Sequence, residues 1–300
     1  MATARLALAA ACGAGFLWGT GALVVNVLIA RHGFSPENIS FWRFVVGSVV
    51  LLAVYARPGI WPALRRHGLL LLGAGSCMAM YVLAWFLGIE RIGAAIPTLI
   101  ALCLPPVLVT ALAVLRGREK ADLPLLAVLA AALCGTALIV WRHGPAASGP
   151  LAGDDLLIGI GWSIASAVLY AGFTLVSGRL SQGLGAGPAT MGLTLVAAAA
   201  MGLSALWRPL GWPAEVAPEA WLLYLGVVTA ALALLAFSWG AARLSPTALT
   251  VATLVEPLTA VLLAAWLLGQ HLSASQWLGA ALLLGGIWGL SRRGTTTPHA

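Results

Sequence analysis

Apolar residues run through this chain in long unbroken blocks. Neither the strict alternation of a half-buried strand nor the half-polar face of a soluble helix describes them. Ten blocks stand out, at residues 6–29, 39–55, 68–89, 94–115, 124–141, 156–179, 188–206, 220–241, 246–268 and 275–291. As helices they match a hydrocarbon core of about 30 Å. The joints between them are short and rich in Pro, Gly and Arg. The pattern predicts an all-α integral membrane protein of ten transmembrane helices, arranged as two inverted five-helix repeats. A gapless shift of 152 residues aligns Gly33 with Gly185, Gly59 with Gly211, Gly88 with Gly240 and Arg91 with Arg243. It also aligns Thr98 with Thr250, Pro105 with Pro257 and Gly117 with Gly269. Five spans is an odd number, so the second repeat enters the membrane upside down. The expected units are residues 1–145, residues 150–293, and a cytoplasmic tail over 294–300.

The ninth block carries the most unusual chemistry. Ser245 is placed to cap a helix, Pro246 suits its first position, and Gly269 supplies a stop. Glu256 and Pro257 fall in the middle of the block, where Pro removes a backbone hydrogen bond. Glu256 is the one acidic residue deep inside any apolar block. A carboxylate at that depth costs about 2.5 kcal/mol or more. Either it faces a polar pathway, or it is protonated and bonded to a neighbouring helix. The fourth block carries Pro105-Pro106 at the matching position, so both spans are expected to break near mid-membrane. Pro105, Pro106 and Pro257 are the candidate hinges of a gate, because paired interrupted spans mark transport sites. Ala11, Gly15 and Gly19 form a small-residue stripe in the first block. Ser163, Ala167 and Ala171, extended by Gly159, repeat it in the sixth. Such stripes let helices approach closely, although small residues abound throughout this chain.

Composition supports the membrane assignment: 61% of residues are hydrophobic and 8% charged, against about 25% charged in soluble domains. No polar stretch is long enough for a separate soluble domain. A net charge of +7 and a pI near 9.9 do not indicate nucleic acid here, because the basic residues flank apolar blocks. Their distribution sets orientation. Arg5, Arg57, Arg65, Arg66, Arg116, Arg118, Lys120, Arg179, Arg243, Arg292 and Arg293 fall on one face. Arg31, Arg91, Arg142 and Arg208 fall on the other, with Arg43 just inside the second block. Both termini are therefore expected in the cytoplasm. Cys12, Cys77, Cys103 and Cys134 lie in apolar blocks without a CxxC pair and read as free thiols. The first block lacks a cleavage site and reads as a retained helix, not a signal peptide.

Candidate binding residues follow from helical spacing. Met78, Tyr81 and Trp85 share one face of the third block. With Met80, Trp18, Trp162, Tyr170, Phe173 and Trp239 they are candidates for a cavity wall suited to apolar or aromatic solutes; singly, each also fits an ordinary core or lipid-facing position. The walls are expected to meet between the third block and its counterpart, the eighth. Arg43 either snorkels to the interface or lines an outer mouth that attracts a carboxylate. Asn26 is placed to bond a neighbouring helix or a solute. Trp61, Trp141, Trp207, Trp212, Trp221 and Trp277 sit at block ends as interfacial anchors. The sequence has no phosphate-binding G-x-x-x-x-G-K-[ST] loop. Its five histidines lie in loops or the tail, and Glu256 has no second intramembrane carboxylate. No enzyme, metal site or cofactor is expected. A receptor or scaffold remains the reading from another class.

Trp18-Gly19, Arg43-Phe44, the Gly88…Arg91 junction, and Glu256-Pro257 followed by Gly269 resemble the EamA-type branch of the drug/metabolite transporter superfamily. The resemblance covers nearly the whole chain. It implies an inner-membrane exporter of small metabolites that works by alternating access. It also implies a central cavity lined by the first four spans of each half, with spans five and ten outside. In length and aromatic content the chain is similar to the aromatic amino-acid exporters, but it departs from their pattern in carrying Glu-Pro in span nine. The expected partners are a small-molecule substrate, amino acids or similar metabolites, and the lipid bilayer, with no nucleic acid. Export of a drug-like or sugar-linked metabolite is the alternative within transport.

Overall fold

The computed structural model describes the backbone of residues 2–92, 95–140, 153–268 and 272–292, and within these the side chains of all but 2, 26, 30, 90, 95, 153, 264 and 268. The regular elements are helices. In chain order they are α1 (Ala2–His32), α2 (Pro36–Tyr55), α3 (Ile60–Arg66), α4 (Gly68–Ile92), α5 (Ala95–Leu115), α6 (Leu123–Val140) and α7 (Gly153–Leu184). Then come α8 (Ala186–Gly202), α9 (Val216–Tyr224), α10 (Ala233–Ala241), α11 (Pro246–Thr253), α12 (Val255–Leu268) and α13 (Ala274–Arg292). A 3₁₀ turn (Leu203–Leu206) closes α8, and a π-helix (Leu225–Leu232) joins α9 to α10. Among the described residues, nine helical stretches are long and apolar enough to cross a membrane. The chain is thus an all-α, multi-span membrane protein. The expected tenth span, α13, is not one of the nine, because Ser275, Gln276 and several glycines dilute its hydropathy.

Local chemistry explains the helix starts. Ser35 and Ser245 each accept a hydrogen bond from the backbone N–H three residues on, at 3.3 and 3.2 Å, and each is followed by Pro at the first helical position. This satisfies one orphan donor and uses the residue that has no N–H to lose. The expected stop at Gly269 lies outside the described residues.

The two proline-bearing spans behave differently. Span nine is interrupted at Leu254, between α11 and α12, and Pro257 then falls in the first turn of α12, where a missing N–H is tolerated. Span four is not broken: α5 runs as one helix through Pro105 and Pro106. The expectation of matching breaks is corrected here. Flanking turns hold α5 together, and both prolines are buried in the bundle.

Small residues set the closest approaches. A Cβ added at Gly15 would lie 2.7 Å from the Thr253 carbonyl oxygen, and one at Gly19 would lie 2.5 Å from that of Glu256. The α1 stripe therefore packs on the backbone at the interruption of span nine. On α7, Gly159 packs on Ile92, and the Ser163 hydroxyl faces Gly88 of α4. α6 and α13 lie against each other, with Gly135 and Gly279 each so close that an added Cβ would sit 2.6 Å from the other's carbonyl oxygen.

At one end of the bundle, residues 207–215 dock on the start of α2. Asn38 Nδ2 and Trp42 Nε1 both donate to the Gly211 carbonyl, at 3.0 and 3.1 Å. Arg208 pairs with the buried Glu37 at 3.3 Å. Trp212, expected as a lipid-interface anchor, packs edge-on to Trp42 at 4.8 Å between ring centroids. Trp61, Trp207, Trp221 and Trp277 are exposed at helix ends, as an anchoring belt requires. Trp141 lies outside the described residues.

Candidate substrate cavity

A cavity of about 250 Å³ opens between the helices, with walls from α1, α2, α4, α5, α7, α12 and the π-helix. α1 contributes Trp18, Gly21, Ala22, Val25 and Ile29; α4 contributes Tyr81, Val82, Trp85, Phe86 and Ile89. Arg43 of α2 and Ser166 and Tyr170 of α7 complete one side. Thr98, Ala101 and Leu102 of α5, Leu225 and Thr229 of the π-helix, and Glu256, Pro257 and Ala260 of α12 complete the other. The cavity occupies the half of the bundle that holds the C-terminal ends of α1 and α4 and the N-terminal end of α5.

The aromatic walls are held in fixed orientations. Trp18 Nε1 donates to the Thr229 carbonyl at 3.0 Å, and Trp85 Nε1 donates to Thr98 Oγ1 at 3.2 Å. The Tyr170 and Thr253 hydroxyls lie 3.2 Å apart, which ties α7 to the end of α11. Tyr81 meets Tyr170 edge to face at 5.1 Å, and Ser166 bonds the Tyr81 carbonyl at 2.7 Å. An indole or phenol whose polar tip is bonded presents its apolar ring to the cavity without leaving a buried donor unpaired.

Deeper in the bundle the space closes. Phe173 and Phe237 are fully buried and stacked, 5.4 Å between centroids and 12° between planes, and Trp18 lies 5.5 Å from Phe237. Beyond them Thr110 donates to Thr247 at 3.1 Å, and Thr247 to Glu119 at 2.9 Å. Aromatic packing followed by a hydroxyl relay between α5 and α11 thus seals one end.

Two ionisable groups of opposite sign reach the cavity. Glu256, in the first turn of α12, makes no hydrogen bond or ion pair with any described residue. Its carboxylate sits at the positive end of a half-helix, a favourable position for negative charge. Arg43 lies across from it, 5.5 Å from the Phe44 ring centroid, with its Nε buried and without a partner. The two groups line one cavity without meeting within the 4.0 Å of an ion pair.

Of the residues singled out in the sequence, Trp18, Arg43, Tyr81, Trp85, Tyr170, Glu256 and Pro257 line this space. Met78 does not. It is 1% exposed and lies seven residues below Trp85, about 10 Å along the helix toward the sealed end. Trp162 is 39% exposed on the outside of α7, and Met80 faces outward on α4. Trp239 is covered by the Arg243 guanidinium, 4.1 Å from its ring. Of the expected walls from the third and eighth blocks, Tyr81 and Trp85 line the cavity, and Met78 and Trp239 do not. Pro105 and Pro106 are buried away from the cavity. The Asn26 side chain lies outside the described residues. Sequence reasoning missed Ser166, Thr229 and Thr98. For Thr98 a signal existed, its alignment with Thr250 under the shift.

Among the described residues, no group of three or more His, Cys, Asp or Glu side chains is gathered to hold a metal. The model of the EamA-like transporter family matches this sequence twice, over residues 5–141 and 157–292. The chain is 28% identical over 284 residues to the uncharacterized transporter YwfM of Bacillus subtilis, covering 91% of this chain and 90% of that one. It is 27% identical over 281 residues to the uncharacterized inner membrane transporter YicL of Salmonella typhimurium, covering 91% of each. A protein crystal structure superimposes with a TM-score of 0.79, covering 96% of this chain and 99% of that one at 23% identity. That likeness shows the fold alone.

Proposed function

Because the chain belongs to the EamA-like transporter family, and so is a non-catalytic secondary transporter of small molecules, we propose that it exports amino acids, aromatic ones among them, across the bacterial inner membrane. The observation that carries this reading is the cavity itself: bonded aromatic walls around one cation and one carboxylate. Apolar burial at about 25 cal/mol per Å² rewards a large side chain. It selects loosely, since one methylene shifts binding by only ~1–3 kcal/mol.

The reading includes ten spans in two inverted repeats, over residues 1–145 and 150–293. Packing supports it. α13 lies against α6 and completes an outer pair. α1 packs on α10, α11 and α12, while α7 packs on α4 and α5, so the first span of each half lies on the third and fourth of the other. The twofold match of the family model supports it as well. With both termini in the cytoplasm, the cavity faces outward and the Phe173–Phe237 floor closes the cytoplasmic side. Alternating access then requires that floor to open while the outer half closes. The Thr110–Thr247 relay is the contact that must break, and the interruption at Leu254 is where span nine bends.

Topology is checked by labelling in a cysteine-free background. Ala214→Cys, exposed between α8 and α9, is expected to react with an impermeant maleimide from outside, and Ala121→Cys, exposed between α5 and α6, only from inside. Labelling of both from one side overturns the arrangement.

Function is checked by counterflow in proteoliposomes with a panel of amino acids. Several are expected to compete for one site. Trp85→Ala is expected to weaken the large apolar ones by about tenfold and small polar ones little. Uniform loss across the panel assigns Trp85 to the fold alone. No competition by any amino acid removes the substrate assignment, and no counterflow by any small metabolite favours a receptor or scaffold.

A further inference from the structure

The cavity holds two charges that protein folding leaves unused. The buried Arg43 Nε has no hydrogen-bond partner, and the half-buried Glu256, which lines the same cavity, is not bonded to any described residue. They come from different helices, α12 and α2, on different walls of one space. A buried donor without a partner, such as the Arg43 Nε, is costly and is retained where something else completes it. Had the two merely served to neutralise each other, they would meet within ion-pair distance, and they do not.

We propose that Arg43 and Glu256 together read the zwitterionic backbone of the substrate, Arg43 taking the α-carboxylate and Glu256 the α-ammonium. The site thereby requires both charges on one ligand. This deepens the amino-acid reading and rests on it. A guanidinium presents donors in a planar fork that matches a carboxylate. An ammonium offers three donors to the Glu256 carboxylate, and such charge-assisted bonds are about twice as strong as neutral ones. Separation of the two side chains leaves room for a ligand to bridge them. The side chain of the ligand then lies along Trp85, Phe86, Ile89 and Val25, whose apolar surfaces place no polar demand on it. Specificity divides accordingly: the charges demand the class of ligand, and the apolar wall tolerates its members.

The arrangement also defines what is rejected. A ligand lacking the carboxylate leaves the Arg43 Nε buried and unpaired. One lacking the ammonium leaves the Glu256 carboxylate on the cavity wall without a counter-charge. A site built to bond a polar group discriminates strongly against analogues without it, because its own groups stay unsatisfied.

The test compares tryptophan with tryptamine, which lacks the carboxylate, and with indole-3-propionate, which lacks the ammonium. Binding to purified full-length protein in detergent is measured by titration calorimetry. Wild type is expected to bind both analogues about tenfold or more weakly than tryptophan. Arg43→Gln is expected to weaken tryptophan and indole-3-propionate by a similar factor and leave tryptamine within about threefold of its wild-type value. Glu256→Gln is expected to weaken tryptophan and tryptamine and spare indole-3-propionate. Arg43→Lys keeps the cation and is expected to retain most of the preference for tryptophan. The wild-type comparison needs no variant to fold: analogues binding as well as tryptophan overturn the proposal outright. So does an equal loss for all three ligands in either variant, which leaves the amino-acid reading standing. If tryptophan and the rest of an amino-acid panel fail to bind at all, that reading falls and the zwitterion site with it.

Discussion

Glu256→Gln is expected to slow counterflow by about tenfold to a hundredfold while leaving yield and monodispersity at wild-type values. The range follows from losing one charge-assisted hydrogen bond to the substrate, ~1.5–3 kcal/mol, at about 1.4 kcal/mol per decade. Folding has little to lose. Glutamine fills the same volume, and the carboxylate it replaces bonds to no described residue. A neutral amide also relieves the cost of holding a carboxylate at mid-membrane. Two outcomes sink this expectation. If the variant transports like wild type across a series of pH values, the carboxylate serves no step of the cycle. If rate and yield of folded protein fall together, Glu256 is a packing residue, and its place in the cavity wall is incidental. The expected result is a clean separation of the two.

The second large effect concerns the backbone of α1. Gly19→Leu is expected to leave little folded protein, because the first added carbon already meets the Glu256 carbonyl oxygen at 2.5 Å and Thr259 Cβ at 2.6 Å. Neither neighbour is the free end of a flexible side chain. Relief requires α1 to move off the junction of α11 and α12, where Glu256 and Pro257 are positioned. Overpacking costs about 1–3 kcal/mol for an extra methylene or two and more for a whole side chain against backbone. Gly13 is the matched control: the same helix, six residues earlier, with nothing within 4 Å of an added Cβ. Gly13→Leu is expected to be neutral or mildly stabilising, since Leu favours helix over Gly by up to ~1 kcal/mol. Fluorescence-detected size exclusion of the two variants and the thermal melting of whatever elutes as monomer decide it. Equal profiles for both substitutions mean that the stripe on α1 is not a packing surface.

How far the sequence could be read depended on which physical effect set each feature. Spans are set by the cost of placing polar groups in hydrocarbon, a composition effect, so their positions were plain. Ser35-Pro36 and Ser245-Pro246 are local chemistry, and Ser245 was readable as a cap for that reason. The stripe of Ala11, Gly15 and Gly19 was visible, but its partner was not, since nothing local says which backbone a groove will receive. The breaks were half right. A proline inside a helix removes one bond, and whether the helix then parts depends on the neighbours; α5 stays whole and span nine does not. For the cavity, spacing placed Tyr81 and Trp85 on the same face but said nothing of depth. Met78 and Trp239 share suitable chemistry with them and do not line the cavity. Ser166, Thr98 and Thr229 escaped notice because they act by orienting aromatic rings, a tertiary effect with no local signature.

The wide turn between α9 and α10 has a bearing on how one span serves two separate clusters. Where it begins, Leu222 and Leu225 are packed with Val24, Leu28 and Ile39 in a small outer core. After it, Leu234 and Phe237 belong to the main core with Trp18, Tyr170 and Phe173. A π-helix spends five residues on the loop that an α-helix closes with four, and a single residue of slippage turns the following helix by about 100°. The surplus therefore acts as a phase shifter. A span with a strict α count would seat Leu225 in the outer core or Phe237 on the floor of the cavity, but its two halves would not point both ways at once.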